Sequence, residues 1–344
     1  MNTDLDSHVT ELAQKCVESV PVILLGSGAS AAHGLPGMQA LAEHLVNTVT
    51  LDGSDPAETE AWARFKSKIS TVDLETALTG VTIPDSLTKR IICSTWDLLS
   101  KNDIDIFAQV VENRSLLPLS RLLTHLFRSA RSEIEIVTPN YDRLAEYAAE
   151  AVGICHHTGF NHGHLRLRSL DNRQRITENG KMARTANIWK VHGSLDWFVD
   201  AQHVVVGLPI SPIRLPGLMP VIVTPGLDKY RRTHEEPFRS ILSGADNALS
   251  RASSYLCIGY GFNDPHLQSK LVGRCESNST LIVVITKELS FTAKELLSSG
   301  RCRRYLALEE SPLGTRVYSH QYPNGAELVG CSIWQLSKFI DLVI

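Results

Sequence analysis

Residues 21–37 read PVILLGSGASAAHGLPG, and the reading of this stretch decides the fold. The apolar run Val22 to Leu25 predicts a buried strand, which opens onto Gly26-Ser27-Gly28, a turn where the backbone can approach a ligand closely. Gly26-Ser27-Gly28-Ala29-Ser30-Ala31 fits the dinucleotide fingerprint with Ala in the third glycine place, and Asp52 stands where a ribose-binding acid would. Gly34, Pro36 and Gly37 interrupt the helix that should then run unbroken, because proline cannot donate to an interior helical bond. The turn belongs to an arrangement with a longer loop, which argues against a dehydrogenase.

Four further apolar, β-branched runs predict core strands: Ile134 to Val137, Val221 to Val223, Tyr255 to Ile258 and Leu281 to Ile285. Helical patterns separate them, among them YDRLAEYAAEAV, PFRSILSGADNALSRA and FTAKELLSS. This alternation predicts an α/β fold, a doubly wound, Rossmann-like and mainly parallel sheet covered on both faces. Residues 51–131 show helical spacing and no strand signal, so a helical lobe is expected there, inserted within one domain spanning 1–344. Two irregular stretches, 158–187 and 208–219, are long enough to be lids or interaction surfaces.

The 344 residues are 43% hydrophobic, enough for one large core or a core with a smaller lobe. A net charge of −3 gives no general attraction to nucleic acid, although residues 164–175 (HLRLRSLDNRQR) are locally basic. Seven cysteines without a C-x-x-C pair fit reduced thiols, and the expected location is cytoplasmic. No apolar run is long enough to span a bilayer, and the N-terminus carries no signal-peptide pattern. CHHTGFNHGH (155–164) gathers a cysteine and four histidines, but the spacing matches no standard zinc pattern, so no metal site is assigned.

In an open α/β sheet, ligands bind outside the carboxyl ends of the strands, so polar residues there matter most. Thr138, Asn140 and Asp142 follow one strand in TPNYD, His192 reads as a strand residue followed at once by Gly193 in WKVHGS, and Gly259, Tyr260 and Gly261 follow another strand in CIGYGFNDPHL. Read singly, each has an ordinary structural role. Asn140 or Asp142 can cap a helix, His192 can be a hydrogen-bonded loop residue, and Asn263-Asp264-Pro265 reads as an N-cap.

In this order, GSGASAAHGLP, TPNYD, WKVHGS and CIGYGFNDPHL resemble the zinc-free branch of the sirtuin-like NAD-binding family, in particular bacterial NAD-hydrolysing proteins of antiphage defence. The resemblance spans about residues 20–290. It implies that Gly26, Ser27, Gly28, Ala29 and Ser30 pack backbone amides against the pyrophosphate and that Pro36 helps wall the nicotinamide side. It implies that Asn140 holds the nicotinamide ribose and the attacking water, that His192 is the base and that Asp142 reaches the carboxamide. Thr138 belongs to the same motif, Gly259, Tyr260 and Gly261 would close over phosphate and ribose, and Thr286 would read the adenosine ribose. NAD+ is then the substrate, and no metal is required.

Gly37 and Met38 stand where the deacylase branch carries an acid and an aromatic residue, and its zinc module has no counterpart here. Water is therefore the expected acceptor. Protein deacylation or ADP-ribosyl transfer remains an alternative in the same pocket, and a non-catalytic NAD or ADP-ribose sensor one of another class. Retention of both Asn140 and His192 speaks against a pure sensor. The resemblance also implies a homo-oligomer controlled in trans by a HerA-type ATPase. The apolar stripe Ile333, Leu336, Phe339 and Ile340 reads equally as an interface or as a helix packed on its own core.

Overall fold

The computed structural model describes residues 3–51, 53, 55–169, 176–224, 235–278 and 280–344. The described residues form fifteen strands: β1 (Val22–Leu25), β2 (Glu133–Thr138), β3 (Cys155–His157), β4 (Arg166–Leu167), β5 (Thr177–Glu178), β6 (Lys181–Met182), β7 (Thr185–Lys190), β8 (Gly193–Val199), β9 (Val205–Gly207), β10 (Met219–Ile222), β11 (Ser254–Ile258), β12 (Leu281–Thr286), β13 (Tyr305–Ser311), β14 (Gly314–Ser319) and β15 (Ala326–Val329). The first eight helices are α1 (Thr3–Glu18), α2 (Ser27–Ala31), α3 (Met38–Thr48), α4 (Pro56–Lys68), α5 (Leu74–Thr79), α6 (Asp85–Glu112), α7 (Pro118–Leu126) and α8 (Leu144–Glu150). Among the described residues four more follow: α9 (Phe238–Arg251), α10 (Pro265–Asn278), α11 (Phe291–Ser298) and α12 (Leu336–Val343).

A nine-stranded sheet in the order β15-β14-β13-β12-β11-β1-β2-β7-β3 forms the centre. From β13 to β3 neighbouring strands are parallel, and β14 and β15 add an antiparallel edge. Both faces are covered, which is why β1 is apolar at every position. Ile23 and Leu25 pack with α1, α7, α8 and α12, while Val22 and Leu24 pack with α9, α10 and α11. Successive side chains of a strand point to opposite faces, so a four-residue run feeds two cores. The chain leaves β1 towards β2 on one side and β11 towards β12 on the other, so the crevice between the ends of β1 and β11 is the topological switch point.

Between β1 and β2 the described residues form helices only. They hold their own apolar cluster, with Leu41 and Leu45 of α3, Trp62 and Phe65 of α4, Leu74 and Leu78 of α5 and Leu87 and Ile91 of α6. Asp55 and Asp73 start α4 and α5 by accepting from the amides of Ala57 and Thr76. The 28-residue α6 then runs out of this cluster. Its Trp96 donates to Leu195 O (2.7 Å), and its Ile106 and Val110 enter the core beneath the sheet.

Three readings of the sequence are corrected. Val221 to Val223 does not belong to the main sheet: β10 pairs antiparallel with β8 in a second, four-stranded sheet, β10-β8-β9-β4. The run is apolar because Val221 and Val223 pack into the core around α9. His192 is not in a strand but in the turn between β7 and β8. Residues 158–187 and 208–219 were expected to be irregular; the first contains β4 to β6 and the start of β7, and its residues 170–175 lie outside the described residues.

The terminal stripe packs internally. Ile333, Phe339 and Ile340 are buried in the core shared with α1 and α7. No helix among the described residues is long and apolar enough to cross a membrane.

Candidate functional site

The β1 and β11 ends are joined through glycine. Gly26 N donates to Ile258 O (3.0 Å) and Gly28 N to Gly259 O (3.1 Å). A Cβ on Gly26 would lie 2.3 Å from Gly259 O, and one on Gly259, whose φ is +56°, 2.3 Å from Ala29 N. Any side chain here would drive the two turns apart. The glycines are thus required by each other's backbone, and the Gly28 amide is engaged within the protein.

At the end of β2 the Thr138 hydroxyl donates to Leu25 O (2.9 Å) and accepts from Asn140 N (3.0 Å), fixing the turn against β1. Asn140 Nδ2 donates to Gly26 O and Ser30 Oγ (both 2.9 Å), and Ser30 Oγ donates onward to Asp142 Oδ2 (2.7 Å). The other oxygen of Asp142 accepts from Leu144 N (3.2 Å). A directional row results: amide to hydroxyl to carboxylate. Burial pushes the Asp142 carboxyl up, against the charge of Lys190 and the Ser30 hydrogen bond. Lys190 is itself fully buried, donating to Asp142 O and to Glu146 Oε1 (3.0 Å).

Behind this row, Asp103 of α6 accepts from Arg143 N (2.8 Å), Nε (2.9 Å) and Nη2 (2.6 Å), and from Tyr147 OH (2.5 Å). Asp103 is 0% exposed. The helical segment therefore grips the TPNYDR turn through a buried ion pair in which Arg143 Nε and Nη2 both donate to Asp103 Oδ2, a geometry in which the charges are paired and hydrogen-bonded.

His192 lies in a turn that Gly193 makes possible: its φ is +92°, and a Cβ there would meet Val221 O at 2.1 Å. His192 Nε2 lies 2.8 Å from Asp264 Oδ2. Asp264 uses Oδ1 to accept from His266 N (3.1 Å) and Leu267 N (3.3 Å) at the start of α10. Nearby, Tyr260 packs against Phe262 (4.9 Å between rings), and its buried hydroxyl has no hydrogen-bond partner among the described residues.

Two cavities meet at the Asn140–Ser30–Asp142 row, which lines both. The larger, about 680 Å³, is bounded also by Gly28, Ala29, Thr138, Gly259 and Thr286 of the sequence-derived set. The smaller, about 240 Å³, is bounded by Gly26, Ser27, Pro36, His192, Tyr260 and Gly261. Every residue assigned from sequence thus lines one cavity or the other. Thr286 sits at the mouth of β12 with its hydroxyl donating to Glu288 O (3.0 Å).

The remaining walls come from residues that were given no site role from the sequence. Leu117, Pro118 and Leu119 at the start of α7, and Trp334 to Ser337 at the start of α12, close the large cavity, and neither helix start has a side-chain cap. Glu75 of α5 and Asp264 enter the small cavity. Among the described residues its lining holds three carboxylates, Glu75, Asp142 and Asp264, and neither lysine nor arginine. The Asn263-Asp264-Pro265 cap signal marked Asp264 without revealing its histidine.

His156, His162 and His164 of CHHTGFNHGH line a third cavity of about 240 Å³ beside the Arg166–Asp196 ion pair (2.6 Å). Among the described residues no group of three His, Cys, Asp or Glu is arranged to hold a metal ion.

The profile of the family described as "SIR2-like domain" matches residues 134–306, from β2 into β13. Among solved structures, a Sir2 homologue in complex with NAD is 15% identical over 86% of this chain and 87% of its own, with a TM-score of 0.41. A Sir2 homologue mutant in complex with ADP ribose is 14% identical over 96% of each chain, with a TM-score of 0.46. Among proteins of curated function none matches the chain.

Proposed function

The chain belongs to the SIR2-like domain family, and on that footing we propose that it hydrolyses NAD+ to nicotinamide and ADP-ribose. The observation that carries this reading is the Asn140–Ser30–Asp142 row standing between two cavities, with His192 on the smaller side. A volume of about 680 Å³ lies within the range of small-molecule and cofactor sites and takes the ADP-ribose portion. The carboxylate-lined cavity takes the cationic nicotinamide ring.

The reaction passes through an oxocarbenium-like state at the anomeric carbon of the ribose. The three carboxylates on the wall of the small cavity stabilise that positive charge. The C–N bond breaks with its electron pair staying on the ring nitrogen, so nicotinamide leaves neutral. The water oxygen bonds to the anomeric carbon, and its proton passes to His192. Asn140 has both amide hydrogens committed to Gly26 O and Ser30 Oγ, which leaves its Oδ1 to hold the ribose hydroxyl and the water. A neutral amide does this without adding charge.

The motif resemblance supports a wider role as well: depletion of NAD+ in antiphage defence by a homo-oligomer held silent until a HerA-type ATPase partner acts in trans. Incubation of the purified protein with NAD+, with and without the ATPase, tests both claims by mass spectrometry and light scattering. Equimolar nicotinamide and ADP-ribose is the expected result. Intact NAD+ under both conditions, or turnover only with an acylated peptide, overturns the reading. A rapidly hydrolysing monomer would remove control by assembly.

A further inference from the structure

We infer that Asp264 is the positioning residue of His192, fixing its tautomer and stabilising the imidazolium that forms when it accepts a proton. The inference rests on the reading of His192 as the proton acceptor. Two features carry it. The Nε2–Oδ2 separation is 2.8 Å, and both side chains are largely buried, 13% and 11% exposed, so solvent does not screen the pair as it does on a surface. The second oxygen of Asp264 is tied to the backbone amides of His266 and Leu267, which holds the carboxylate at the start of α10.

A neutral imidazole whose Nε2 faces a carboxylate carries its hydrogen on Nε2. The lone pair is then on Nδ1, and Nδ1 is the nitrogen that takes the proton of the attacking water. Protonation gives a cation already in contact with its counter-charge. One aspartate thus serves two ends: Oδ1 starts a helix, and Oδ2 orients the base.

Replacement by asparagine separates these functions, because Asp264→Asn keeps an acceptor for the α10 amides and presents its amide hydrogens to His192. The expected result is a fall of ~10²–10⁴-fold in kcat with KM within about threefold of wild type. Nitrogen-15 spectra of the NAD-free protein should show His192 hydrogen on Nε2 in the wild type and on Nδ1 in Asp264→Asn. Asp264→Ser, which retains a cap too short to reach His192, should remain folded and lose kcat to the same degree. Hydrogen on Nδ1 in the wild type, or kcat of the folded Asn variant within threefold of wild type, overturns the inference. If the wild type does not cleave NAD+ at all, the functional reading fails, and the tautomer spectra still decide the pairing.

Discussion

The two cavities are built from different material. The small one is walled by side chains from the strand-end motifs, it is rich in carboxylates, and buried charges stand behind it. The large one is closed by leucines, a proline and a tryptophan from the starts of two helices far apart in the chain. Chemistry depends on a few polar atoms held to within tenths of an ångström, so its residues cluster at strand ends and leave short motifs. Binding of a large apolar surface needs only area and shape, and the fold supplies those from distant segments.

This contrast breaks most easily at Asn140. Asn140→Ala should lower turnover by ~10²–10⁴-fold while nucleotide affinity changes only a fewfold, measured by single-turnover kinetics and calorimetry. Loss of affinity in step with turnover would mean that the two cavities are not functionally distinct.

Next in size is the clamp behind the small cavity. Asp103→Ala leaves Arg143, 4% exposed, buried without its carboxylate, which costs about 3–5 kcal/mol in urea melts. A loss below about 1 kcal/mol would show that the ion pair does not secure the turn.

A smaller effect, on stability alone, is expected at Asp196. Burial pushes its carboxyl up, but Arg166, Arg143 and Lys190 outweigh burial and hold it at about 2, below the ordinary 3.8. Its folded-state value is depressed, so its contribution is complete above 3.8 and disappears as pH falls through about 2. Arg166→Met should therefore cost about 2 kcal/mol at neutral pH and progressively less in acid, with NAD+ turnover unchanged. An equal cost at every pH would contradict the assignment.

Smallest is the apolar wall. Trp334→Ala should raise KM about tenfold with kcat unchanged, in line with ~1–3 kcal/mol for base–aromatic contact. A fall in kcat instead would place Trp334 with the chemistry.

Much of this architecture is legible in the sequence where one physical demand dominates. Val22 to Leu25 reads as a strand because both faces are covered, and Gly26 and Gly259 read as tight turns because their backbones touch. Legibility fails where demands overlap. β7 is buried throughout but carries Thr185, Asn187 and Lys190, whose polar side chains interrupt the apolar signal. Asn187 and Trp189 bond instead to Glu135 across the sheet (3.2 and 2.6 Å). Asp264 reads as a cap because it is one, which conceals its pairing with His192. The large cavity's far wall carries no signal, since Leu117 and Trp334 look like any core residues until the fold brings them together.

The shared row of Asn140, Ser30 and Asp142 has a kinetic corollary. A substrate that straddles it becomes, once cut, two fragments in separate compartments, so neither need wait for the other to depart. Product release then has no compulsory order, and analogues of the two halves should occupy the protein together. In double-inhibition experiments nicotinamide and ADP-ribose would give intersecting lines; parallel lines would reveal one compartment where the structure draws two.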